Sequence, residues 1–191
     1  VQDHSVDLAL GTCDDPDEEG IVHTSFHEEE LVLFVPSFHP LAYQASHDFE
    51  HLTTIDIRKF KDTPFILATH NSTLRQTTDI LFQQNQIQPT IVYESDNNLI
   101  LKNMADQGAG ITILARSHME HTKNLVYFSL EPRCTVHLTV MSALDHTLSE
   151  EERYLMALNY QMEMQDPNYH FSPNQNAQKI IEEFQLYHVE R

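Results

Sequence analysis

The chain has 191 residues, 40% of them hydrophobic, and a formal net charge of −18 from 29 acidic and 11 basic side chains. That length suits one ordinary domain or two small lobes with a buried core. The charge argues against direct contact with nucleic acid or an anionic membrane, because phosphates call for clustered Lys and Arg. No apolar run approaches the roughly 18 residues of a membrane-spanning helix, and VQDHSVDLAL at the start lacks the basic and long apolar segments of a signal peptide. Cys13 and Cys134 lie far apart, outside any C-x-x-C spacing, and read as reduced thiols of a cytoplasmic protein.

In chain order, residues 6–10 (VDLAL) form a short apolar run ending at Gly11-Thr12, a buried strand entering a loop. Asp14, Asp15, Asp17, Glu18, Glu19, Glu28, Glu29 and Glu30 follow with no Lys or Arg between them, the pattern of a solvated loop and strand edge. Residues 30–35 are a second strand, stopped by Pro36, and Pro40 forces extended or turn geometry on His39. Phe49, Leu52 and Phe60 are expected to face inward. The pattern then becomes regular. Strands are expected at 64–68, 89–93 and 111–114, with helices at 73–86 and 96–107 between them. Thr73 and Gln76 read as a capping box, Asp96 as the second N-cap, and Gly108 as the C-terminal stop. Such β-α-β-α-β alternation means parallel strands with helical crossovers. Two further strands are expected at 125–130 and 135–143. Ser149 and Glu152 form a second capping box, opening a helix to about residue 165 with Leu155, Leu158 and Met162 on one stripe. A polar link and a short helix at about 175–188 follow, with Ile180, Ile181, Phe184 and Tyr187 on its apolar face.

Six stretches in this order, VDLALGT (6–12), EELVLFVPSFHPLA (29–42), FKDTPFIL (60–67), STLRQTTDILF (72–82), QIQPTIVYES (86–95) and MADQGAGITIL (104–114), resemble the effector-binding domain of LysR-type transcriptional regulators. Gly108 and Gly110 are the most specific part, since that turn needs positive φ and close packing. Ala115 stands where the family usually has Pro. The resemblance implies an α/β fold of the two-lobed type 2 periplasmic-binding-protein kind. Lobe I would be partial, residues 1–60 plus 132–165, with its first strand-helix-strand absent from the chain. Lobe II would be residues 61–131, and 166–191 a C-terminal extension. It implies a cytoplasmic ligand sensor without cofactor, taking a small anionic effector between the lobes. The full protein would form a homodimer or tetramer and touch DNA through a winged helix-turn-helix that this chain lacks. A stand-alone solute-binding protein of the same fold is the alternative.

Carried over by position, the effector contacts are His70, Asn71, Ser72 and Thr73, with Thr12 and Ser95 beside them. The physics agrees: open N–H groups and the dipole at a helix N-terminus favour an anion at the carboxyl end of a parallel strand. The plain alternative is that Ser72 and Thr73 only cap their helix, and that Arg75 packs or faces solvent. Thirteen histidines invite a metal reading, but His47-x-x-x-His51 has no H-E-x-x-H pattern and sits on a weakly helical segment. There is no G-x-S-x-G elbow, P-loop or dinucleotide fingerprint, so no catalytic role is expected.

Overall fold

A computed structural model of the chain describes residues 1, 5–13, 20–164 and 170–186. Asp14, Asp15, Asp17, Glu18, Glu19 and Tyr187 lie outside the described residues. In chain order the elements are β1 (Leu8–Cys13), β2 (Ile21–Pro36), β3 (Thr54–Asp56), β4 (Pro64–Ala68), α1 (Thr73–Gln84), β5 (Thr90–Ser95), α2 (Asn98–Asp106), β6 (Thr112–Ala115), β7 (Leu125–Ala143), α3 (Glu150–Glu163), β8 (His170–Phe171) and α4 (Gln175–Glu183).

The chain divides into a central unit, Glu30–Val136, and a terminal unit, Val1–Glu29 with His137–Arg191. The divisions fall inside the two longest strands, β2 and β7; the resemblance implied lobe boundaries at residues 60/61 and 131/132. The reason is local. Residues 31–34 of β2 pair with 112–115 of β6, which ties the second strand to the central unit. Likewise β7 is one strand where two were expected, running through the exposed Glu131, Pro132 and Arg133.

In the central unit β4 and β5 are parallel, Pro64↔Thr90 to Ala68↔Ser95, with an irregularity between Phe65 and Ile66. Ile66 N–H donates to Ile111 O at 2.8 Å and Ile111 N–H to Pro64 O at 2.9 Å, which brings the start of β6 alongside β4 in the same direction. This is the expected β-α-β-α-β alternation. Because β6 is antiparallel to β2, with Leu31↔Ala115, the carboxyl ends of β4, β5 and β6 gather where β2 enters the unit. Apolar side chains on both faces of these strands form its core, including Phe60, Phe65, Phe82 and Phe128 on one and Phe34, Ile66, Leu101 and Tyr127 on the other. Phe49 and Leu52 pack on the second cluster, as expected. Gly108 closes α2 at φ +80°, and a Cβ on Gly110 would stand 2.7 Å from Pro64 O, so the turn before β6 admits no side chain there.

Two helix starts move by one residue. Ser72, not Thr73, is the N-cap of α1: it is extended (φ −96°, ψ 144°) and its hydroxyl accepts from Arg75 N–H. Asn97, not Asp96, caps α2, accepting from Leu99 and Ile100 N–H. The Ser149–Glu152 capping box is present as expected.

In the terminal unit β1 pairs antiparallel with the second half of β7, Leu8↔Ser142 to Cys13↔His137. β8 pairs with the first half of β2 at His27 and Glu28. α3 and α4 share a core around Phe26, Val140, Met156, Tyr160, Ile180 and Ile181. The stripe on α3 differs from the expected one. Leu155, Leu158 and Met162 are 59%, 38% and 72% exposed, while Met156, Ala157 and Tyr160 are buried. A helix of period 3.6 carrying this many apolar residues has two candidate faces. Phe26, stacked on Tyr160 at 5.1 Å, marks the one that packs. The early acidic run also differs: Glu29 and Glu30 are buried, and Glu30 receives a 2.7 Å ion pair from Arg116.

Candidate functional site

β4 ends at Ala68, and the next five residues turn the chain into α1. Thr69 N–H donates to Ser95 O at 3.2 Å, tying this turn to the end of β5. Ser72 N–H and its Oγ both reach Thr69 O, at 3.1 and 2.9 Å. Ser72 Oγ also accepts from Arg75 N–H at 3.2 Å. The hydroxyl of Ser72 therefore both donates and accepts within the turn, and its work is to cap α1. His70 and Asn71 stand exposed at the tip, with Thr73 half-buried behind them. Ser95 is buried, its Oγ accepting from Asn97 N–H at 3.1 Å.

The structure thus brings His70, Asn71, Ser72, Thr73 and Ser95 to one end of the central unit. Thr12 lies in the terminal unit, exposed on β1 opposite Leu138.

Arg75 is 3% exposed and points back under the turn. Its guanidinium donates to Ala68 O at 2.9 Å, to Asp79 at 2.8 Å and to Glu94, and lies 3.2 Å from His70 Nε2. Burial works against the charge, but the hydrogen bonds to Glu94 and Asp79 outweigh it and hold the guanidinium above its ordinary range. The same bond from Arg75 holds the Glu94 carboxyl below its ordinary range. Asp79 and Glu94 also lie 3.8 Å from the two ring nitrogens of His70. Arg75 is spent inside the fold, so the turn offers a ligand the exposed His70 and Asn71 side chains and the start of α1. Asp79, four residues along α1 from Arg75, follows from helical spacing. Glu94 does not, because the irregular β4–β5 register places it there.

The metal reading gains little. His47 and His51 are exposed in a turn region, and no helix forms over them. Asp48, Glu50 and His51 could offer ligand atoms within 4.8 Å of one another, but all three are exposed, and His51 is already bonded to Asp48 at 2.9 Å. Cys134 is buried and burial pushes its thiol up to about 11, far from a nucleophile's range.

Comparison with known proteins bears on these observations. Residues 1–158 match the family described as the LysR substrate binding domain. An uncharacterized HTH-type transcriptional regulator of Bacillus subtilis (strain 168), YybE, is 34% identical over 109 residues, which are 57% of this chain and 34% of that protein. The chain thus spans about a third of the length of the curated relative it matches. Among solved structures, the effector binding domain of QuiR in complex with shikimate superposes with a TM-score of 0.67 at 23% identity, covering 89% of this chain and 76% of that one. The regulatory domain of CcmR from Synechocystis PCC6803 in complex with 2-PG gives 0.68 at 20% identity, covering 84% and 75%. At these identities the likeness is one of fold.

Proposed function

We propose that this chain, which belongs to the LysR substrate binding domain family, is the ligand-sensing regulatory domain of a LysR-type transcriptional regulator. In this reading a small anionic effector sits against the turn between β4 and α1. The turn itself carries the reading. It lies at the carboxyl ends of parallel strands, where ligands of open α/β sheets collect. It opens a 12-residue helix whose dipole favours an anion there. It displays His70 and Asn71 beyond a cap that Ser72 already satisfies. Binding of shikimate by the QuiR domain and of 2-PG by the CcmR domain supports the same use of the fold here.

Binding is the whole of the chemistry assigned, with no catalytic step. DNA contact belongs to a winged helix-turn-helix elsewhere in the full regulator, in keeping with the HTH name of the Bacillus relative and the −18 charge of this chain. A second copy of the chain is the proposed protein partner, seated on β5, where Ile91, Val92 and Tyr93 are all exposed.

Two measurements test this. A winged helix-turn-helix encoded upstream of Val1 would support it, and a signal peptide followed by further strands would replace it with a solute-binding protein. Calorimetric titration with a panel of small carboxylates should find a binder. Asn71→Ala and His70→Ala should each weaken it by about tenfold, the loss of a hydrogen bond to a charged partner. Both side chains are exposed, so the melting temperature should stay within a few degrees. Unchanged affinity in both variants would overturn the placement.

A further inference from the structure

We propose that the central unit carries a second ligand site, a groove between residues 37–49 and 121–127, for a flat organic anion: an aromatic ring bearing one carboxylate. Two cavities of about 560 and 420 Å³ adjoin there and share His47, Thr122, Lys123, Leu125 and Val126. The groove starts just past Pro36, where β2 ends, and so lies at the opposite end of that strand from the carboxyl ends of β4 and β6. It is distinct from the β4–α1 turn.

Its floor is apolar, with Ala42 and Leu125 buried and Val126 partly so. One wall is a stack of rings. His121 lies on Phe49 at 4.4 Å and 15°, and Phe49 stands edge-on to Tyr127 at 5.2 Å. Tyr127 is in turn edge-on to buried Phe34 at 4.9 Å. The wall is therefore anchored in the core and offers a rigid flat surface to another ring. Tyr43 stands exposed along the groove.

The charge is what selects an anion. No Asp or Glu lines either cavity, in a chain with 29 of them. Three neighbouring carboxylates are bonded: Asp48 to His51, Glu120 to Lys102 at 2.9 Å, and Asp106, which accepts from Asn124 and from Thr122 of the lining itself; Glu50, next to Phe49, is exposed. Lys123 and His47 are exposed and have no ion pair or hydrogen bond among the described residues. A carboxylate between them would take the open cation, while its ring lies on the apolar floor beside the Phe49–His121 stack. His39, also on the lining, is committed: its Nδ1 accepts from Leu41 N–H at 3.2 Å.

The probe is 2-naphthoate, followed by amide chemical shifts of the full chain in two-dimensional NMR. Shifts should concentrate in residues 37–49 and 121–127 and be weak for the neutral analogue 2-naphthalenemethanol. Lys123→Gln should weaken 2-naphthoate by about threefold to fivefold, the range of one exposed ion pair. His47→Gln added to it should bring the loss to about tenfold. Both groove positions are exposed, so an unchanged amide spectrum elsewhere verifies the fold. Equal binding of the neutral analogue, shifts centred on residues 69–73, scattered shifts, or no loss in the double variant would each overturn the proposal.

Discussion

His39 shows how a single ring can be fixed by its neighbours. Nδ1 accepts from Leu41 N–H, so the proton of the neutral ring sits on Nε2, 3.2 Å from Thr63 Oγ1. The ring also packs on Phe60 at 5.1 Å. Protonating Nδ1 would break the bond to Leu41 and charge a partly buried ring. Burial accordingly lowers its pKa below the ordinary value of 6.5. The sign follows by linkage. In the unfolded chain His39 takes up a proton near 6.5 and the folded chain resists it, so its contribution is complete above that pH and is lost as pH falls toward the folded value. The expected observation is an imidazole titration for His39 with a midpoint below 6.5. Stability should also decline from pH 7 to pH 5, less steeply in His39→Phe, which binds no proton. A midpoint at or above 6.5 would refute the assignment. The partner of this ring was not legible in the sequence, since Thr63 is 24 positions away.

At the scale of elements, residues 170–186 are bound into the terminal unit. Ser172 N–H donates to Phe26 O at 3.0 Å and Asn174 N–H to Ser25 O at 2.9 Å. Asn174 and Asn176 side chains both donate to His23 O, at 2.8 and 3.0 Å. α4 then buries Ala177, Ile180 and Ile181 against α3. Ile180→Ala should therefore cost about 2–4 kcal/mol in urea unfolding, and Leu155→Ala on the outer face of α3 less than about 0.5 kcal/mol. Equal costs would mean the faces are wrongly assigned. The apolar face of α4 was legible in the sequence, because only one stripe of that short helix is apolar. The face of α3 was not, because two stripes compete and the decision lies with Phe26, more than a hundred residues earlier. The caps failed for a related reason. Ser72 and Thr73 are equally good capping types, and only the extended ψ of Ser72 separates them. The candidate turn was legible since its residues are consecutive and follow a strand, while its Arg75–Glu94 pair depended on strand register.

At the scale of the whole molecule, two forces act on association in opposite directions. A formal charge of −18 makes copies of the chain repel one another. Against this stands β5, hydrogen-bonded to β4 on one side and, among the described residues, to no other strand. Ile91, Val92 and Tyr93 are all exposed, and the irregular register leaves Val92 without a partner on β4, so this edge presents apolar surface. Exposed Ile80, Leu99 and Ile100 on the crossover helices add to it. An unpaired apolar edge of this kind invites a second chain. The chain should therefore self-associate in sedimentation velocity, and more strongly as salt is raised, because screening removes repulsion and leaves apolar contact in place. Val92→Lys separates the two forces. It lowers the net negative charge, which by electrostatics alone would favour association, but it sets an ammonium in the apolar edge. The expected result is a monomer at every salt concentration, with the urea midpoint unchanged and the carboxylate affinity of the β4–α1 turn retained. Association equal to or tighter than that of the parent chain would show that charge governs assembly and that the β5 edge does not seat the partner.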